Sequence, residues 1–299
     1  MTVSETEISA LAASHDILSI GMEADAVRRE KHDNRTTFLR VAVVDAAPGA
    51  SLDWPAAAGE VRIAGVPATP AAAVARVKEV VERAKGTPTS AFSLADLEQL
   101  AIREQITLRT ILEELRAAGL DLVAEAPFDE LQDPRRSIEE VNIAGLALAR
   151  LTVHRLPSAD TLSWMKRIAD LQYTVAVIRA FAPLPRLANP AVPTTGYDDV
   201  KRVALARLAV PNVPSIQVDW ALYGPKLAQV ALTVGADDVD AVSAEDDTSQ
   251  GRRRAPLEEI LRNIRAAGQE PVERDGRFEV HEGHDDGTKA TKTKNPGSA

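Results

Sequence analysis

Polar and charged side chains follow several of the predicted strands at the point where each strand ends. The group best suited to chemistry consists of Glu125, His154 with Arg155, and Arg179. His154 is the only histidine outside the two ends of the chain. If it lies near Glu125, it could act as a general base. We predict that Arg155 and Arg179 together bind the carboxylate of a ligand as an anion clamp, because guanidinium groups pair bidentately with carboxylates. The structural alternatives are a histidine bonded to loop backbone and arginines paired with Glu125 or Asp219.

A second group lies at the junction between a predicted strand and the helix that follows it. Asp219 and Trp220 precede Tyr223, which is followed by Gly224, Pro225 and Lys226. Trp220 and Tyr223 could wall a pocket, and Lys226 could meet an anion at the helix N-terminus. In the structural alternative, the glycine and proline serve only the turn and Lys226 is solvated.

These side chains are positioned by an alternation of strand and helix patterns that repeats about eight times. The alternation predicts a TIM-like (β/α) barrel of parallel strands, a fold that typically needs ~250 residues. Residues 147–153 and 173–181 are predicted to be two of its strands, and residues 274–280 could form one more. A doubly wound open sheet is the runner-up, but no G-x-G-x-x-G follows a strand. Chemistry in such barrels lies at the C-terminal ends of the strands. One mouth should therefore gather Asp45, Gly65, Ser93, Glu125, His154 with Arg155, Arg179, Asp219 with Trp220, and Ser243 with Glu245.

Three segments follow from this pattern. Residues 1–37 predict an N-terminal helical extension, with one helix at residues 8–31. Residues 38–280 predict the barrel, which is either complete or open near its first βα unit, since residues 46–59 lack a helical pattern. Residues 281–299 are polar and predict a disordered tail. The histidine spacing within that tail is discounted as a metal site, and no metal is expected.

Composition excludes several classes of function. The net charge is −9, which argues against a nucleic-acid partner. The absence of cysteine excludes disulfides, thiol nucleophiles and thiolate-bound metals. No apolar stretch approaches the ~20 residues of a membrane span, and the acidic start predicts no signal peptide, so a cytoplasmic location is expected. The carboxylates of residues 237–247 are expected to be solvated and loosely paired with arginines 252–254.

Several motifs in the second half of the chain have a recognisable pattern. They are TTG at 194–196, ARL at 206–208, NVP at 212–214, GPKLAQVAL at 224–232 and GADD at 235–238. PVERDGRF at 271–278 and VRREKHDNRT at 27–36 extend the pattern to both ends. This set resembles the aminofutalosine synthase family of radical-SAM enzymes, which act in menaquinone biosynthesis. Futalosine cyclase and deazaflavin synthase are similar more loosely. The resemblance implies the radical-SAM barrel and a place in or near the futalosine pathway.

The chain departs from this family where the family does its chemistry. The family carries a Cys-x3-Cys-x2-Cys loop after its first strand, whose thiolates hold the iron–sulfur cluster that binds S-adenosylmethionine. Residues 44–59 contain no cysteine, and neutral Ala, Pro and Ser cannot replace soft thiolate ligands. We therefore expect no iron–sulfur cluster and no S-adenosylmethionine binding.

Other family segments are rewritten as well. Gly65 is kept but is followed by Val66, and the glycine cluster after the fourth strand reads Ala-Glu-Ala-Pro at 124–127. The family's Gly-His-Ile-Glu segment reads His-Arg-Leu-Pro at 154–157. The resemblance implies that these positions bound S-adenosylmethionine and substrate.

Three functional hypotheses follow. The favoured one is a pseudoenzyme, a cluster-less homologue of aminofutalosine synthase that acts as a non-radical binding or partner protein. The second is a non-radical lyase or hydrolase for a small carboxylated metabolite, with His154 and Glu125 in the barrel mouth. The third is a structural subunit in a heteromer with an active radical-SAM relative; a homo-oligomer also stays open.

Overall fold

The computed structural model describes residues 5–155, 161–187, 194–249 and 251–280. Its strands are β1 (Arg35–Asp45), β2 (Glu60–Ala64), β3 (Thr89–Ser93), β4 (Leu122–Pro127), β5 (Ala147–Leu148), β6 (Leu151–Val153), β7 (Ala180–Pro185), β8 (Ser215–Asp219), β9 (Asp238–Ser243) and β10 (Glu270–Glu273). Its helices are α1 (Glu5–Ala13), α2 (Ile17–His32), α3 (Pro70–Ala84), α4 (Leu94–Glu104), α5 (Leu108–Ala117), α6 (Pro134–Ile143), α7 (Thr161–Val175), α8 (Gly196–Ala209), α9 (Trp220–Leu232) and α10 (Pro256–Ala266). The predicted tail and the histidines in it lie outside the described residues.

Eight parallel strands close into a barrel in the order β1-β2-β3-β4-β6-β7-β8-β9, with β9 pairing again with β1. Val41 of β1 aligns with Glu60 of β2, and Thr37 of β1 aligns with Asp238 of β9. The short β5 pairs with β4, and β10 adds to the start of β1. The predicted TIM-like barrel is confirmed. It is closed at its first unit, because β1 has a strand partner on both sides.

Short polar residues begin the crossover helices. Thr69 accepts the Ala72 N–H ahead of α3, and Thr195 with Asp198 forms a capping box on α8. The caps satisfy N–H groups that have no partner within the helix. No helix in the described part of the chain is long and apolar enough to cross a membrane.

The N-terminal segment contains two helices, so the single helix predicted at residues 8–31 is wrong. Asp16 separates the two helices. Its side chain accepts hydrogen bonds from the N–H groups of Leu18 and Ser19 at 3.1 Å and so caps the N-terminus of α2. Ile20 and Ala24 on α2 are fully buried, and α2 packs along α8.

Three predicted strands are also shifted. The strand predicted at residues 173–181 is wrong, because α7 continues through Val175 with Tyr173 74% exposed on its outer face. The strand of this unit is β7, displaced towards the prolines. The strand predicted at 147–153 is split into β5 and β6. At residues 274–280 only an isolated bridge joins Arg274 and Val280, while β10 lies just before it.

The connection between β1 and β2 contains no helix, as predicted for residues 46–59. Trp54 packs with Ala42, Ala58 and Ala244. Ala42 faces outward, since its neighbour Val43 lines the cavity at the barrel mouth. Arg76 of α3 ties down the start of the segment by donating to the backbone carbonyls of Asp45 at 2.9 Å and Ala50 at 3.3 Å. The segment therefore covers the outer surface that a crossover helix would otherwise fill.

The interior of the barrel holds buried ion pairs, which we call the barrel ion network. Arg62 donates to both oxygens of Asp240 at 2.9 and 3.2 Å, and Arg150 Nη1 lies 2.7 Å from Asp240 Oδ2. Towards the other end of the barrel, Arg274 donates to both oxygens of Asp238 at 2.7 Å. The members are three arginines and three carboxylates, all less than 9% exposed: Arg62, Arg150, Arg274, Glu60, Asp238 and Asp240.

The network corrects the expectation for the carboxylate run at residues 237–247. Asp237, Asp238 and Asp240 are buried, so the prediction of solvation is wrong for them. Asp237 pairs with buried Arg207 instead of the expected arginines 252–254. Burial alone would raise the pKa of Asp240, but the charges of Arg150 and Arg62 outweigh burial and hold it far below its usual range.

Asp240→Asn should lower the free energy of unfolding by about 3–5 kcal/mol, because Arg62 and Arg150 would lose their shared buried counter-charge. Urea denaturation measures the change. Glu139→Gln is the control, since the pair that it removes with Arg135 is exposed and should contribute at most about 0.5 kcal/mol. Equal stabilities of the two variants would contradict the role given to the network.

Candidate functional site

The carboxyl ends of the barrel strands surround a cavity of about 440 Å³, within the usual range for small-molecule sites. We call it the mouth cavity. One part of its lining is apolar and the rest is charged or polar. Its lining includes Val43, Arg62, Ile63, Gly65, Phe92, Ser93, Asp96, Glu125, Arg150, Arg186, Asp219 and Leu222.

Five of the positions predicted at the mouth are brought together there. Gly65, Glu125 and Asp219 line the cavity, and His154 contacts Glu125 from the rim. Gly65 has a φ of 107°, which glycine adopts without strain. Ser93, named among the strand ends, also lines the cavity.

His154 lies between two carboxylates. Its Nε2 is 3.1 Å from Glu125 Oε1, and its Nδ1 is 3.0 Å from Glu130 Oε2. Asp129 holds the same turn by accepting the backbone N–H groups of His154 and Arg155 at 2.8 and 2.7 Å. When both ring nitrogens donate to carboxylates, the imidazole carries a positive charge.

The electrostatics of this pair follow from its neighbours. Burial would lower the pKa of His154, but the hydrogen bond and charge of Glu125, with the charge of Glu130, raise it. Burial would raise the pKa of Glu125, but the hydrogen bond from His154 and the charge of Arg186 lower it to about 2. The raised pKa of His154 and the lowered pKa of Glu125 both favour the imidazolium–carboxylate form of the pair, in which His154 donates a proton more readily than it accepts one.

Arg186 links two strand ends and was not predicted as a site residue. Its Nη1 donates to Asp219 Oδ2 at 3.0 Å, and its Nε lies 3.1 Å from Glu125 Oε2. It directly follows β7, and its N–H continues the strand pairing to Val153 at 2.9 Å. A correctly placed β7 would have identified it, because Arg186 is the residue at that strand's C-terminal end.

Asp96, in the first turn of α4, lines the same cavity and was also missed. It makes no hydrogen bond or ion pair with the described residues. Burial raises its pKa, and the charges of Glu125 and Glu130 raise it further. The carboxylate of Asp96 therefore lies close to other negatively charged groups and is harder to ionise than a solvated aspartate.

Several buried polar atoms of the cavity lining have no hydrogen-bond partner among the described residues. They are Ser93 Oγ, Glu125 Oε2 and Arg150 Nε; the contact of Glu125 Oε2 with Arg186 is ionic only. Unsatisfied buried polar atoms are uncommon in folded proteins, so each indicates a group that a ligand or water could satisfy.

The other predicted site residues do not join this group. Arg179 precedes β7 and donates to the Arg277 carbonyl at 2.6 Å, so it lies at the opposite end of the barrel. Its prediction at the mouth was wrong because the strand was predicted too early in the sequence. The side chain of Arg155 is exposed, and the anion clamp that the two arginines should form is not assembled. Asp45 is exposed and accepts the Ala47 N–H at 2.7 Å.

The residues predicted on α9 are placed around its first turn. Trp220 is buried in the main apolar core, and the Tyr223 hydroxyl donates to the Pro185 carbonyl. Lys226 is exposed. None of these three side chains lines the mouth cavity. Asp219 itself caps α9 by accepting the Leu222 N–H at 2.9 Å.

The segment after β1 does not fit an iron–sulfur cluster. The chain has no thiolate, and the only side-chain oxygens within residues 46–59 belong to Ser51 and Asp53. Such hard donors do not suit a cluster that proteins hold with thiolates. Within the described ranges, no group of three histidine or carboxylate side chains could hold a metal ion.

Comparison with known proteins finds similarity in both sequence and fold. Residues 181–286 match the family model described as the CofH/MqnC C-terminal region. The barrel is similar to methylornithine synthase (PylB), with a TM-score of 0.64 and 12% identity over 91% of this chain and 95% of that one. The maturase HydG from Carboxydothermus hydrogenoformans gives a TM-score of 0.63 at 12% identity, covering 91% of this chain and 76% of that one. At this identity the structures show a common fold alone.

Sequence similarity extends beyond the C-terminal region. Aminodeoxyfutalosine synthase of Thermus thermophilus is 28% identical over 238 residues, covering 68% of this chain and 63% of the relative. Cyclic dehypoxanthine futalosine synthase of Streptomyces coelicolor is 26% identical, covering 64% and 54%. The chain thus spans less than two thirds of the length of these relatives. The resemblance inferred from the sequence is confirmed: this chain is a cysteine-free, radical-SAM-like relative of aminodeoxyfutalosine synthase and cyclic dehypoxanthine futalosine synthase.

Proposed function

We propose that this chain is a non-radical binding or partner protein associated with menaquinone biosynthesis through the futalosine pathway. The observation that carries the proposal is the combination of a complete barrel with no thiolate to hold a cluster. A radical-SAM reaction needs an iron with an open position for S-adenosylmethionine, and this chain offers no ligands that suit such an iron.

The segment after β1 supports this proposal. The segment is held by structural contacts: Trp54 packs against Ala42 of β1, and Arg76 donates to the carbonyls of Asp45 and Ala50. The segment is therefore a packed structural connection. The barrel is closed and has a polar mouth cavity. Both features support a role in ligand binding.

The proposal includes a cytoplasmic location, a small-molecule ligand in the mouth cavity and no nucleic-acid partner. If the chain acts as a partner subunit, it forms either a heteromer with an active radical-SAM relative or a homo-oligomer. Co-purification from the native host identifies a heteromer, and light scattering of the purified chain distinguishes a homo-oligomer from a monomer.

A second candidate is a non-radical lyase or hydrolase that uses the same cavity. It is favoured by the contact between His154 and Glu125 at 3.1 Å. The carboxylates around His154 change its role from the base expected from the sequence to a proton donor. Glu125, with its pKa of about 2, would keep the imidazolium oriented.

The proposal predicts that anaerobic reconstitution with ferrous iron and sulfide leaves the protein without stoichiometric iron. It also predicts no reductive cleavage of S-adenosylmethionine by the reconstituted protein with dithionite. Iron analysis and chromatography of the products measure both. The Thermus thermophilus relative, taken through the same steps, is the positive control. Stoichiometric iron together with cleavage would end the proposal.

The geometry around His154 predicts that its ring keeps its proton to a higher pH than an unperturbed histidine does. Its pKa is raised above the ordinary 6.5, so its stabilising contribution is complete below pH 6.5 and is lost as pH rises through the folded-state pKa. Nitrogen-15 NMR of the ring measures the pKa, with His154→Asn assigning the resonance.

In Glu125→Gln the pKa of His154 should fall, because the ring loses a charged hydrogen-bond partner. Glu104→Gln, on the exposed side of α4, should leave it unchanged. A pKa at or below 6.5 in the unmodified protein would contradict the proton-donor role.

A further inference from the structure

We infer that the mouth cavity binds a primary amine with an apolar body, its ammonium group between Asp96 and Glu125. The inference rests on the proposed function, since it names the ligand class of the proposed binding site. It replaces the carboxylated ligand expected from the sequence, whose two arginines do not meet at the mouth.

The charges around the cavity favour a cation. We count the side chains that line the cavity together with their ion-pair partners. Arg62 and Arg150 are balanced by Glu60 and Asp240. The remaining cations are Arg186 and His154, and the remaining carboxylates are Asp96, Glu125 and Asp219. The excess of one carboxylate attracts a positive ligand and opposes an anionic one.

The unpartnered atoms provide a second, independent indication of a ligand. Ser93 and Glu125 are register partners on β3 and β4. Ser93 Oγ is buried without a hydrogen-bond partner in the described structure, and Glu125 Oε2 has only its ionic contact with Arg186. Asp96 follows Ser93 by three residues in the first turn of α4. An ammonium group has three N–H donors, which matches these three acceptors on adjacent elements.

Arg150 adds a buried donor to the same cavity. It is 3% exposed, and its Nε has no hydrogen-bond partner within the described ranges. Since Asp240 already offsets its charge, a neutral oxygen acceptor on the ligand is sufficient to satisfy Nε.

The apolar part of the lining explains the body of the ligand. Val43 is 64% exposed and Leu222 is 47% exposed, and both line the cavity alongside Phe92 and Ile63. Large apolar side chains left open within a concave site commonly contact a ligand. A short apolar chain or ring covering Val43 and Leu222 would leave the amine at the acidic corner.

Calorimetric titration of the full chain with three matched probes tests the inference: phenylpropylamine, phenylpropanol and phenylpropionate. They share an apolar body and differ at the end group. The amine should bind about tenfold more tightly than the alcohol, through charge-assisted hydrogen bonds, and the acid most weakly. Binding of the acid as tight as that of the amine, or no binding of the amine, would overturn the inference.

Variants locate the ammonium group. Asp96→Asn should weaken binding of phenylpropylamine at least about fivefold and leave phenylpropanol unchanged, while Asp170→Asn on the exposed face of α7 is the matched control. Ser93→Ala gives a second test if thermal unfolding shows that Asp96→Asn is not folded. Unchanged amine affinity in the folded variants would refute the placement. Cluster reconstitution tests the proposed function separately, because it does not depend on which probe binds.

Discussion

Paired charges enclosed in the barrel are the constraint on which the rest of the structure depends. A buried arginine without its carboxylate is costly, so β2 with Arg62, β9 with Asp240 and the link between β5 and β6 with Arg150 must meet in one arrangement. The effect reaches the mouth, because the charge of Arg150 helps to lower the pKa of Glu125, after His154 and Arg186. The same ion pairs therefore favour one arrangement of the strands and contribute to the electrostatics of the cavity.

The connection after β1 carries no thiolate, and its contacts are structural. Trp54 packs on Ala42, and Arg76 donates to the carbonyls of Asp45 and Ala50. Closure does not need a helix at this point, because β1 and β2 pair directly. What remains at the mouth is a polar cavity whose side chains are largely paired with one another, a state suited to binding.

The fold could be predicted from the sequence, because alternating strand and helix patterns and strand-end residues such as Glu125 and Asp219 are local signals. The site was predicted only in part. Arg179 was placed at the mouth because aromatic and β-branched residues at the end of α7 resemble a strand, and the same error concealed Arg186. The local sequence pattern also cannot distinguish a buried carboxylate from a solvated one. It therefore predicts that Asp240 is solvated. Its arginine partners lie in other parts of the chain and only the barrel brings them together.

The central claim is that this barrel cannot assemble the centre on which radical chemistry depends. Electron paramagnetic resonance of the reconstituted, dithionite-reduced protein, recorded with and without S-adenosylmethionine, addresses it directly. The account predicts no cluster signal in either sample and a clear one from the Thermus thermophilus relative. A reduced-cluster signal in this chain that changes when S-adenosylmethionine is added would contradict it.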